Sequence, residues 1–94
     1  LSESKDEILS LLGIFQKHPD WTIKLECHSA PVGSANYILA LTEKRANTIK
    51  QALMNLGVKS ISMDVKGIGD QKPLVSNDTE QGRLTNTRVE ITVQ

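Results

Sequence analysis

The residues of this chain best suited by type to chemistry lie between Cys27 and Arg45. His28 and Ser29 open a loop containing Pro31 and Gly33, and Arg45 follows on a helical stretch. A guanidinium fork beside a helix N-terminus is a combination that binds anions. The loop carries no acidic residue between His28 and Tyr37, so a carboxylate that could bind the other end of a zwitterion is missing there. Catalysis is a poorer fit. Cys27 and His28 are adjacent on a strand, where neighbours point to opposite faces, so they cannot form a thiol–imidazole pair. His18, Cys27 and His28 lack the spacing of a metal site, so neither a metal nor a cofactor is expected. Gly67-x-Gly69 ahead of Lys72 lacks the remainder of a phosphate loop.

Composition bounds the alternatives. Ninety-four residues make one domain, spanning 1–94. Eleven basic and eleven acidic residues cancel, and no like-charge block offers a surface for nucleic acid or membrane. Phe15, Trp21 and Tyr37 are the only aromatic residues, too few for a base-stacking platform. No apolar run approaches the ~20 residues needed to cross a bilayer. No signal peptide is evident, so if the protein is exported this chain is expected to be a piece of a longer precursor.

The elements that position these residues follow from periodicity. Ser4 and Glu7 fit a capping box, and Ile8, Leu11, Leu12 and Phe15 give the helix after them one apolar face, ended by Pro19. Trp21, Ile23, Leu25 and Cys27 alternate with polar residues as a half-buried strand. A second helix is expected from about Ser34 to Leu56. Leu41, Arg45, Ile49, Leu53 and Leu56 lie along one side, with Gly57 as a left-handed cap. Ile61, Met63 and Val65 alternate as a second strand. A long loop with one helical turn expected near Thr79–Arg83 fills Gly67–Asn86, and Arg88–Val93 is the last strand. Asn77 and Thr79 suit turn and cap chemistry. The order implies a two-layer α/β sandwich, helices on one face of a mixed sheet. The expected core is Ile8, Leu11, Leu12, Phe15, Ile23, Leu25, Ile49, Leu53, Ile61, Met63, Val89 and Ile91.

Leu41-Thr42-Glu43-Lys44-Arg45-Ala46, Gly67-Ile68-Gly69-Asp70 with Pro73, and Asn77, Thr79, Gly82, Arg83, Asn86, Arg88, Val89 and Glu90 together resemble the C-terminal domain family of outer membrane protein A (OmpA-like). The resemblance covers essentially the whole chain. It implies a non-catalytic periplasmic domain that binds peptidoglycan, joined to the outer or inner membrane through another part of the protein. By the same resemblance, a loop aspartate and the helix arginine hold the diaminopimelate residue of the wall's stem peptide. The implied ligand-binding positions are Ser29, Ala30, Leu41, Thr42, Arg45 and Arg88. Arg45 could instead tie its helix to Asp70 or Glu90, and Arg83 and Arg88 also suit pinning the long loop to the sheet.

This chain departs from the family pattern at Ala30, where the aspartate is expected, at Ile38 for an asparagine, and at Thr87 for an arginine. The family also opens with a strand that is not evident ahead of the first helix. Two functions follow as expectations. One is a wall anchor with a degraded diaminopimelate site and weak or altered binding. The other is a degenerate OmpA-like module that binds a protein of the cell envelope.

Overall fold

The computed structural model describes residues 2–94, and the side chains of residue 6 and of residues 8–94. The order is α1 (Ser2–Lys17), β1 (Ile23–His28), α2 (Ala35–Asn55), a 3₁₀ turn at Ser60–Ser62, β2 (Met63–Gly69), α3 (Glu80–Asn86) and β3 (Arg88–Val93). Among the described residues the sheet has three strands in the order β2-β1-β3. β1 runs parallel to β2 and antiparallel to β3. α2 is therefore the crossover that a parallel neighbour requires.

α1 already includes Ser4 as an interior helical residue, so Ser4 is not its cap. The side chains of Ser4 and Glu7 lie outside the described residues. At the other end, Pro19 cannot continue the helix. His18 and Trp21 turn the chain into β1 through a bond from Trp21 N to His18 O at 3.0 Å. Their rings stack at 3.6 Å.

One face of the sheet carries the core. Ile23, Leu25 and Cys27 of β1 are buried with Leu11 and Phe15 of α1, Ala46, Ile49 and Leu53 of α2, and Met63 of β2. This is the alternation expected for β1. Ile8, Leu12 and Val89 pack around that core, only partly buried. Two expected core residues fall outside it. Ile61 is 86% exposed because the chain is still in the 3₁₀ turn there, and β2 begins two residues later. Ile91 is exposed on β3, an edge strand, where an open groove separates it from α1. Ile91 and Val93 instead line a groove with Ile14, His18 and Trp21.

α2 buries Ile38, Thr42, Ala46, Ile49 and Leu53, whereas Leu41 and Leu56 are exposed. The buried stripe is thus rotated from the Leu41–Arg45 line toward Ile38 and Thr42. The cause is at β2. Gly67 lies under α2 so closely that a Cβ there would collide with the backbone of Glu43. The helix can approach that far only over a residue without a side chain, and Thr42 then faces the strand. The end of α2 is as expected. Gly57 has φ +101. Gly57 N donates to Met54 O and Val58 N to Leu53 O, both at 3.0 Å, the paired bonds of a Schellman cap.

β2 extends through Gly69, so the loop that follows is shorter than expected, and the helical turn foreseen near Thr79–Arg83 is the full α3. Thr79 caps it by accepting from Gly82 N at 3.0 Å.

Candidate functional site

The end of the β1–α2 crossover brings the loop, the second helix and the tip of β2 together. Ser29 N donates to Gly69 O at 2.9 Å. Gly69 N in turn donates to Thr42 Oγ1 at 3.0 Å. A single glycine, turned by its φ of +71, thus joins the first loop residue to α2. Ser29 Oγ donates to Ala30 O at 2.8 Å. Ala30 is 2% exposed, and its N donates to Thr87 Oγ1 at 3.2 Å. Residues 31–37 are exposed, and Ser34 caps α2 by accepting from Tyr37 N at 3.2 Å.

Thr42 also donates to Leu39 O at 2.9 Å, so its hydroxyl both closes a helical turn and receives the strand. Thr42→Val keeps the shape and removes the acceptor. The buried Gly69 N–H is then left without a partner, which costs about 1–3 kcal/mol. Urea unfolding should show that loss, and Thr42→Ser should recover most of it. A Thr42→Val variant as stable as the parent would mean that water replaces the hydroxyl.

Arg45 is half-buried, three residues beyond Thr42 and four beyond the exposed Leu41. That spacing makes Arg45 a surface neighbour of Thr42 at i, i+3 and of Leu41 at i, i+4. Arg88 lies on the strand adjacent to β1, directly paired with His28 and next to the Thr87 that binds Ala30. Its fork is committed to protein acceptors. Nε meets Glu90 Oε2 at 2.6 Å, Nη1 donates to Asn86 O at 3.0 Å, and Nη2 donates to Lys72 O at 2.9 Å. Arg83 Nη1 donates to Asn77 O at 2.9 Å. Both arginines therefore fasten the loop between β2 and α3.

Asn86 does more for that loop than either arginine. Its side chain is fully buried. Oδ1 accepts from Leu74 N at 2.8 Å and Val75 N at 3.2 Å, while Nδ2 donates to Val75 O at 2.9 Å and Asn77 Oδ1 at 2.8 Å. Sequence reasoning places Asn86 in a motif without a role. The signal available is an amide at the end of a short helix after a polar loop, which is the type needed to satisfy several backbone groups at once. In the motif Thr87 stands only where an arginine is expected, yet its hydroxyl accepts from the loop backbone at Ala30 N.

His28 differs from its neighbours. It is 3% exposed on the sheet face opposite Cys27, and neither ring nitrogen has a hydrogen-bond partner. Burial, then the charge of Arg88, pushes its pKa below the usual histidine value. It is therefore neutral near pH 7. The Arg88 hydrogen bond holds Glu90 below the ordinary carboxylate range, so Glu90 is ionised.

Residues 1–87 match the family model of the OmpA family. Outer membrane porin F of Pseudomonas aeruginosa is 33% identical over 89 residues, covering 94% of this chain and 25% of the porin. The chain thus spans about a quarter of that relative's length. The peptidoglycan-associated lipoprotein of Burkholderia pseudomallei superposes with a TM-score of 0.86 at 26% identity, covering 100% of this chain and 80% of that one. The cell wall anchor of the type VI secretion system from Pseudomonas aeruginosa gives 0.81 at 25% identity, with 99% and 67% covered.

Proposed function

The chain belongs to the OmpA family, and from that premise we propose that it is a periplasmic domain holding an envelope assembly to the cell wall, with a weakened diaminopimelate site. As a member it is a non-enzymatic envelope domain. The similar proteins include a peptidoglycan-associated lipoprotein and a cell wall anchor, which supports the wall as the partner. The observation that carries the weakened site is Ala30. It occupies the buried start of the loop that Ser29 and Thr42 organise around Gly69. A methyl group there cannot pair with the ammonium of diaminopimelate, while Arg45 still matches the family's helix arginine.

Losing one charge-assisted bond costs about 1.5–3 kcal/mol, or about ten- to a hundred-fold in affinity. The parent domain should therefore stay mostly in the supernatant when sedimented with diaminopimelate-type sacculi. Ala30→Asp should raise affinity for diaminopimelate-containing fragments about ten-fold or more by the same estimate. Because residue 30 is buried, the new carboxylate should lower stability without ligand, since it is desolvated until the ammonium arrives. Arg45→Ala in the Ala30→Asp background should erase the gain. Calorimetric titration of the single and double variants decides it. A folded Ala30→Asp protein with no gain would sink the wall-peptide reading of this loop.

The second reading, a protein-binding module, is favoured by one feature. β3 is an edge strand with Ile91 and Val93 exposed beside a groove, and such an edge can accept a strand from an envelope protein. Retention by membrane-protein extracts without retention by sacculi would move it ahead.

A further inference from the structure

The pairing of β1 with β3 sets Glu26 directly opposite Glu90. Glu26 and His28 share one sheet face, since residues two apart on a strand point the same way. Carboxylates facing each other across strands repel. His28 lies beside them, buried, with Nδ1 and Nε2 both lacking hydrogen-bond partners. Its Nε2 is 3.9 Å from Glu90 Oε1, beyond hydrogen-bond reach. One ligand atom from each of the three residues lies within 4.8 Å of the other two. Donors that share a tetrahedral ion at ~2.0–2.2 Å sit about 3.3–3.6 Å apart, so side-chain movements of about 1 Å complete the set.

We propose that Glu26, His28 and Glu90 form a binding site for a divalent cation of the zinc type. The donor set is one imidazole and two carboxylates. Imidazole favours zinc and its transition-metal neighbours, whereas magnesium and calcium take oxygen ligands. The surroundings orient the donors. Arg88 Nε holds Glu90 Oε2 at 2.6 Å, which leaves Oε1 turned to the imidazole. Lys24 Nζ approaches Glu26 Oε2 at 3.8 Å. The Arg88 hydrogen bond is the kind of outer partner that fixes a ligating carboxylate, whereas Lys24 contributes only its charge. Glu90 is 42% exposed, so an ion has a path from solvent. Three protein ligands also leave a coordination position for water or an outside donor. The opposing charges are Arg88, Lys24, Lys72 and Lys66, the last opposite Glu26 in β2. They keep the affinity modest. The proposal is independent of wall binding.

The test is a calorimetric titration of the intact domain with zinc chloride near neutral pH in a buffer that does not chelate metals. Saturable binding of one ion per chain is expected below millimolar zinc. Glu26→Gln and Glu90→Gln should each weaken it about ten-fold or more. His18 stacks on Trp21 ahead of the start of β1, at the other end of the strand from His28, so His18→Ala should change nothing. Zinc should also shift the ring nitrogen resonances of His28 in a nitrogen-labelled sample. This readout and the two carboxylate variants avoid replacing a buried histidine. Magnesium at the same concentration should not bind. No saturable heat, unchanged binding in both glutamine variants, loss of binding in His18→Ala, or equal binding of magnesium would each overturn the proposal.

Discussion

Gly67→Ala should lower the thermal midpoint by about 12–24 °C, from a loss near 3 kcal/mol in a domain of this size. The added methyl would meet the backbone of Glu43. A flexible side chain could swing away, but a helix backbone cannot, so α2 must lift from β2 as a body. Lifting also separates Thr42 from Gly69 N and exposes part of the Ala46–Ile49 packing. For a domain whose total margin is about 5–15 kcal/mol, that is a large share. Differential scanning calorimetry measures it directly. A midpoint within a few degrees of the parent would mean that α2 shifts without loss, and the close approach would not explain its rotated stripe. The same displacement moves Arg45 relative to the loop. Any wall binding gained by Ala30→Asp should therefore fall when Gly67→Ala is added, at a temperature where the double variant is still folded.

Asn86→Ala should be the other severe substitution, costing about 2–3 kcal/mol. The amide makes four hydrogen bonds, three of them to the backbone of Leu74 and Val75. Truncation leaves those backbone groups to solvent or to nothing. Leu74 and Val75 have exposed side chains, so water recovers part of the loss, and the expected cost stays below that of three orphaned buried groups. The effect should be local before it is global. Amide hydrogen exchange at Leu74 and Val75 should lose its protection, while the amides of β1 keep theirs up to the stability of the variant. Protection unchanged at Leu74 and Val75 would show that the arginine contacts alone hold this loop. Asn86→Asp separates the two halves of the amide. It keeps the acceptor for Leu74 N and Val75 N but faces Val75 O and Asn77 Oδ1 with a charge, so it should not restore stability.

What the sequence determined by itself was local. The alternation of Ile23, Leu25 and Cys27 against polar neighbours settled which face of β1 is buried, because a strand's period of two admits only two choices. Gly57 announced the end of α2, because a left-handed residue there is cheap only without a side chain. The motifs from Leu41 to Glu90 identified the family, and with it the fold. Tertiary structure decided what depends on distance along the chain. The buried stripe of α2 turned toward Ile38 and Thr42 because a glycine some twenty residues later lets the backbones touch. A helix with apolar residues on more than one side cannot state that choice in advance. Ile91 stayed exposed because strand order made β3 an edge. Asn86 acquired its role only when the loop folded back over it. The meeting of Glu26, His28 and Glu90 likewise came from the antiparallel register of β1 and β3, since residues more than sixty positions apart have no local pattern that could reveal them.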